Sequence, residues 1–325
     1  VGHAGPQDAC VLVPIEGSPQ GLAISTAFNP RLTSVDPYRG GLSIVDEMCR
    51  NLVAVGARPH SMTNCLNFGN PEVPERLGEF VETLRGMGEA LRHLDLPAPS
   101  GNVSFYNETA ESYVPPTASM MGAGLMKDAS LAVTSDLKRS GNRLYMVGRT
   151  RDQMAGSAIY ARHDAPHKTA PGVNLKELSG SMDTILAAVE KGWLESCHDI
   201  SDGGLAVALA EMCIGGRLGA DVDLAAQGRL RPVAKLFSES NTRWILEVVP
   251  GKARHLERLF KRSGVDLTFL GKVASRPTKG KGKGTKKPAP AGPTLRVSDG
   301  KKVLIDLPVD DLEAAWNATF WDLMG

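Results

Sequence analysis

The chain has 325 residues, enough for two domains, with 42% hydrophobic and 22% charged residues, the balance of a globular protein with a real core. Its net charge of +1 excludes a general pull toward nucleic acid or an anionic membrane. No run of 18 apolar residues occurs, so no helical membrane span is expected, and five cysteines without a CxxC pair argue against a disulfide framework or a thiolate zinc site and for a reducing compartment, the cytoplasm.

Val11–Ile15 and Leu22–Thr26 read as short buried strands. Gly40–Gly41 is expected to open a helix, with Leu42, Val45, Met48, Cys49, Leu52 and Val53 recurring at three and four. Met62–Phe68 reads as a strand running into a loop. A second helix is predicted from about Glu75 to His93, with Leu77, Phe80, Val81, Leu84, Met87 and Leu91 as one stripe and Pro74 near its start, where a missing N–H costs little. Strands at Val103–Tyr106 and Ala118–Leu125 complete a first domain, 1–128.

A charged break follows, and a second domain, 129–325, restarts with the strand Arg143–Gly148. Helices are predicted at about Ser179–Leu194, Gly203–Cys213 and Lys252–Ser263, and strands at Ile245–Val249 and Thr268–Val273. The alternation predicts an α/β (α+β) layered fold. Residues 277–293 hold five lysines among prolines and glycines and no hydrophobic residue larger than alanine, so this stretch reads as a mobile solvated loop. Its lysines suit phosphate contact, but no specific nucleic-acid target is expected. Two strands, Thr294–Ser298 and Lys302–Leu307, and an amphipathic helix, Asp310–Leu323 with Leu312, Trp316, Phe320 and Leu323 on one side, end the chain.

Four polar constellations stand out, each with a plain structural alternative. Thr63–Pro71 crowds Asn64, Asn67, Gly69 and Asn70 at a strand end, a place for ligand recognition or a tight turn. In Pro99–Glu108, Gly101 permits close backbone approach, Asn102 offers a neutral oxygen to a hard cation, and Ser104, two residues on, shares its face in a strand. His198–Leu205 places Asp199 and Asp202 before a double glycine and a helix. That suits phosphate or Mg²⁺, or a helix cap and an ion pair. Leu236–Arg243, with Glu239 and Ser240, is dense in hydrogen-bonding groups and lines a pocket or forms a capped loop. No Walker A, GxGxxG, HExxH or GxSxG motif occurs. The cysteines are expected to be small buried hydrophobes, and the histidines other than His198 surface residues.

The strings TNCLNFGNP, PSGNVSFYNE, HDISDGGLAVALAE and LFSES, in that order, together resemble the large synthetase component of phosphoribosylformylglycinamidine synthase; VDPYRGG (Val35–Gly41) and RNLVAVGARP (Arg50–Pro59) support the resemblance. That family is built from two copies of a unit shared with aminoimidazole ribonucleotide synthetase, each with one domain feeding a barrel-like core and a second layered α/β domain. This chain resembles the second copy. The resemblance implies an ATP-dependent ligase joining ammonia to formylglycinamide ribonucleotide with Mg²⁺, no catalytic residue in this half, and partners comprising the N-terminal half, a glutaminase subunit and a small bridging subunit, or a homodimer if isolated. It assigns Asn64 and Gly101 to ATP, Asn102 to the metal and Ser104 to substrate. It leaves Asp199, Asp202, Glu239 and Ser240 as an auxiliary, non-catalytic nucleotide site or as residues that only preserve the fold. Asn64 departs from the family's usual Asp, and Ala27-Phe28-Asn29 from Asp-Gly-Asn. The alternative from another class is a non-catalytic nucleotide-binding structural module of the same superfamily.

Overall fold

The computed structural model describes residues 7–165, 169–274 and 292–324. Two sheets form. The first has five strands: β1 (Cys10–Leu12), β2 (Gly21–Ala27), β3 (Arg58–Asn67), β4 (Ser100–Ser104) and β5 (Thr117–Met126), in the order β1-β2-β5-β3-β4. All neighbours are antiparallel except β3 and β4.

One face of this sheet is covered by helix α2 (Pro37–Ala54) and helix α3 (Pro74–His93), which follow the short α1 (Pro30–Val35). The helix α2 starts at Pro37 rather than at the glycine pair, because Asp36 caps it, its side chain accepting from Arg39 N, and Pro37 takes the first turn. Gly41 serves packing instead: a Cβ there would sit 2.2 Å from the Thr83 carbonyl oxygen on α3, and one at Gly86 would sit 2.1 Å from that of Tyr38. The two helices therefore cross at backbone contact distance. On α3, Met87 is buried, whereas Leu77 and Val81 are exposed. The predicted stripe is wider than the face that packs.

Among the described residues, the other face of the first sheet is bare. Strand residues alternate sides, and Ala118, Met120, Gly122, Gly124 and Met126 are buried while Met121 and Leu125 on the same strand are about half exposed, at 45% and 50%. Leu12 is 50% exposed beside them, and its partner in the register is Leu22. The expected burial of β1 is thus not found: its pattern is exposed, and the chain leaves the strand after Leu12, with Val13 and Ile15 in solvent.

The second sheet has seven strands: β6 (Arg143–Val147), β7 (Ser196–Asp199), β8 (Gly219–Asp223), β9 (Trp244–Val248), β10 (Leu267–Ala274), β11 (Thr294–Asp299) and β12 (Lys302–Pro308), in the order β12-β11-β8-β10-β6-β9-β7. Its central strands are buried on both faces, which is why they read as continuous apolar runs. On β9, Trp244, Leu246 and Val248 join one core with α2, α5 (Leu175–Glu190) and α8 (Pro250–Ser263). Ile245 and Leu144 join a second core with α6 (Gly204–Gly216). The helices α4 (Ala158–Arg162) and α7 (Pro232–Phe237) are short, and α9 (Val309–Met324) ends the chain. On α9, Leu312 packs against the second core, whereas Trp316 and Leu323 are exposed, so the predicted apolar side of that helix is only partly buried. The lysine-rich stretch lies outside the described residues, apart from Gly292 and Pro293 at its end.

Helix α2 is the joint of the molecule. It packs on β2 and β5 on one side and on β7 and α5 on the other, and most of its residues are buried. No helix among the described residues is long and apolar enough to cross a membrane. Cys49, Cys197 and Cys213 are buried as expected, but Cys10 and Cys65 are exposed.

Candidate functional site

The first predicted cluster sits on the edge strand β4 and its neighbour β3. Their parallel register sets Asn64 opposite Gly101, Cys65 opposite Asn102, and Asn67 opposite Ser104. Partners in register share a face, so the four predicted residues fall into two pairs. Asn64 and Gly101 lie on the helix side, in phase with buried Met62 and Leu66. Asn102 and Ser104 lie on the bare side with Cys65 and Asn67, as a spacing of two in a strand requires.

Local contacts explain the residue types. A Cβ on Gly101 would lie 2.4 Å from Asn64 Oδ1, so the glycine makes room for the Asn64 amide to lie over β4. Asn102 donates an amide hydrogen to Cys65 Sγ at 3.6 Å, and Asn67 does the same at 3.6 Å. Ser104 donates its hydroxyl hydrogen to Asn107 Oδ1 at 3.0 Å. The Asn107 amide nitrogen in turn donates to the carbonyls of Phe68 and Ser104, both at 2.9 Å. Tyr106 between them has φ 58, a left-handed conformation rare for a bulky residue. It lets the chain turn back so that Tyr106 N reaches the Gly69 carbonyl at 3.2 Å.

The second cluster, from His198–Leu205 and Leu236–Arg243, is a buried ion network at the joint. Asp199 ends β7 and meets Arg50 of α2, Nη2 to Oδ2 at 3.2 Å. Arg50 also pairs with Asp46 one turn earlier, and Asp46 accepts from Thr242 N at 3.1 Å. His198 donates from Nδ1 to Asp8 at 2.9 Å and from Nε2 to Glu211 at 3.1 Å. Burial pulls its pKa down, but the two carboxylates outweigh it, and the value stands well above the usual one. Asp202 pairs with Arg31 at 2.8 Å and does not cap α6, whose N-cap is Gly203 at φ 78. Glu239 accepts from the backbone N–H groups of Ala158 and Gly203, both at 2.8 Å. Ser240 accepts from Arg151 N at 2.9 Å.

Desolvation dominates the electrostatics here. It pushes Glu47 up to about 8 against the pull of Arg50, and Asp199 to about 7, again opposed by Arg50. It pushes Glu239 to about 7, with the Asp202 charge adding to it. It lowers Arg243 to about 9, helped by the charge of Arg50. Arg243 is fully buried and donates to the Ser240 carbonyl at 2.8 Å.

Fit to the groups implied by the resemblance differs between the clusters. Asp202 and Glu239 line a cavity of about 20 Å³ together with Glu47 and Arg50. The β3–β4 wall is open, but its donors are neutral. Mg²⁺ is normally held by one or two carboxylates plus phosphates, so Asn102 fits as one ligand of a shared site and not as a complete site. Sequence reasoning gave no role to Asp8, Asp46, Arg50 or Asn107, although Arg50 and Asn107 stand inside strings it singled out. Of these, only the Asp46–Arg50 pair carried a readable signal, its i,i+4 spacing on a helix.

The AIR synthase related protein N-terminal domain matches residues 6–126, and the AIR synthase related protein C-terminal domain matches residues 139–281. The chain belongs to the AIR synthase-related family. Within it, the chain is 35% identical over 309 residues to the phosphoribosylformylglycinamidine synthase subunit PurL of Thermoplasma acidophilum, covering 95% of this chain and 38% of that one. Among solved structures, it is similar to Thermotoga maritima PurL complexed with FGAR, at TM-score 0.74 and 20% identity over 96% of this chain and 48% of that one. It is also similar to the same PurL complexed with ATP, at TM-score 0.70 and 19% identity over 90% and 44%. At these identities the structures establish a shared fold. This AIR synthase-related chain spans about two-fifths of its PurL relative's length.

Proposed function

We propose that the chain is the C-terminal half of a phosphoribosylformylglycinamidine synthase, divided into the units 1–128 and 129–325, and that it builds its active site jointly with an N-terminal half. The observation that carries this reading is the bare face of the first sheet. That face is apolar around Leu12, Met121 and Leu125 and carries Asn102 and Ser104 at its β4 edge. A bare apolar patch on a strand face marks an interaction surface. A second sheet laid on it would create the barrel-like core, and the polar edge would then become the wall of a cleft.

The reaction replaces the amide oxygen of formylglycinamide ribonucleotide by nitrogen. ATP, when bound, supplies the phosphoryl group that makes that oxygen a leaving group; ammonia forms the new C–N bond as phosphate departs. This chain's part is positioning. Asn102 would supply one amide oxygen to Mg²⁺, Ser104 would hold the ribonucleotide, and Asn64 with Gly101 would border ATP from the helix side. The general acid or base of the reaction would be contributed by the other half. Asp199 and Ser240 are buried in the internal frame, while Asp202, exposed in its pair with Arg31, and Glu239 border the small pocket where an auxiliary nucleotide would have to bind.

The proposed partners are the N-terminal half, a glutaminase subunit as ammonia source and a small bridging subunit. The setting is cytoplasmic, supported by five free cysteines. The test is complementation: co-expression with the N-terminal half should restore purine-independent growth to a strain lacking PurL, and neither half alone should. Growth with this chain alone would refute the half-enzyme reading. Nucleotide binding by the pair without growth would favour a non-catalytic module.

A further inference from the structure

The orientation of the half-buried Asn107 amide sets the hydrogen-bonding polarity of the Ser104 hydroxyl. The Asn107 amide nitrogen donates to two carbonyls, those of Phe68 and Ser104, each at 2.9 Å. A flipped amide would set its oxygen against both carbonyl oxygens, so the orientation is fixed by chemistry. The Asn107 amide oxygen is then the acceptor facing Ser104, at 3.0 Å. A serine hydroxyl has one hydrogen. Asn107 takes it, and Ser104 is left with lone pairs only. Beside it, Asn67 and Asn102 each direct one amide hydrogen to Cys65 Sγ.

Resting on the ligase reading above, we propose that Asn107 is a positioning residue that turns Ser104 into an obligate acceptor. The Ser104 position therefore recognises a hydrogen-bond donor on the ribonucleotide, a hydroxyl or an amide N–H, and not a phosphate oxygen. The phosphate must be held by donors elsewhere in the assembled enzyme. Tyr106 supports the device, because its left-handed turn brings Asn107 back under Ser104.

The experiment uses this chain assembled with its N-terminal half and measures KM and kcat for wild type, Ser104→Ala, Asn107→Ala and the double variant. Two substrates are compared, the ribonucleotide and the ribonucleoside that lacks its phosphate. One hydrogen bond of ordinary strength corresponds to about a ten-fold change. Each single variant should therefore raise KM for the ribonucleotide about ten-fold with kcat within about three-fold, and the double variant should be no worse than either. The Ser104→Ala penalty should persist on the ribonucleoside. Multiplying penalties in the double variant would show Asn107 acting independently of Ser104 and overturn the proposal. So would a Ser104→Ala penalty that vanishes on the ribonucleoside, which is the mark of a phosphate contact. If Asn107→Ala does not fold, the Ser104→Ala comparison alone decides the polarity. A wild-type assembly with no ribonucleotide-dependent ADP formation would instead sink the ligase reading itself, a distinct failure.

Discussion

Replacing Arg50 by Leu removes the centre of the buried ion network. Its guanidinium meets Asp199 at 3.2 and 3.3 Å and Asn241 at 3.4 Å, and pairs with Asp46; Arg50 itself is 2% exposed. Breaking a buried pair by deleting one partner costs about 3–5 kcal/mol, because the other charge stays buried and uncompensated. Here two carboxylates are left. Asp46 keeps its hydrogen bond from Thr242 N, so the larger share falls on Asp199. Burial already raises the Asp199 pKa to about 7, and Arg50 is what opposes that rise. Without Arg50 it climbs further above its unfolded value near 4. A folded-state pKa that is raised gives stability that is present at low pH and lost as pH rises through it. The variant's deficit should therefore grow with pH, from about 3 kcal/mol near pH 5.5 to about 5 kcal/mol near pH 8. Urea titrations followed by far-UV circular dichroism at both pH values measure it. A loss below about 1 kcal/mol, or a deficit that shrinks as pH rises, would refute the reasoning.

The wild type should follow the same sign more gently. Asp199, Glu239, Glu47 and His198 all have raised values, so melting temperature should fall between about pH 6 and pH 8.5; Asp136, Asp152 and Asp223 are lowered and should make it fall again below about pH 4. Differential scanning fluorimetry across pH checks this, and a melting temperature rising through neutrality would contradict it. Gly101→Ala puts a Cβ 2.4 Å from Asn64 Oδ1, so calorimetry on the assembled enzyme should show nucleotide affinity falling about ten-fold with stability down by about 1–2 kcal/mol. Isolated, the chain should self-associate through the bare sheet face or bind an apolar-surface dye, and Met121→Glu with Leu125→Glu should abolish both. A monodisperse monomer that binds no dye would count against that face as an interface.

Most long elements were legible because their periodicity reflects burial: β6, β9 and β10 as apolar runs, α3 and α8 as stripes. What escaped has physical causes. The strand β7 reads Ser-Cys-His-Asp and is polar, yet it is buried because its side chains are paired across the joint. The short helices α1, α4 and α7 have too few turns to show a period. The start of α2 was set by the Asp36 cap, while Gly40 and Gly41 follow from helix crossing, a tertiary fact. The split of Asn64 and Gly101 from Asn102 and Ser104 depends on the register of two strands far apart in sequence, which no local pattern encodes. Asn102 and Ser104 on one face, by contrast, followed from spacing alone.

The central claim is that this chain completes an active site it does not hold alone. It is tested by ADP formation from ATP with formylglycinamide ribonucleotide, ammonium and Mg²⁺, for the chain alone and mixed with its N-terminal half. The account predicts turnover only in the mixture. Turnover by the chain alone, or none in a mixture that assembles and binds nucleotide, would contradict it.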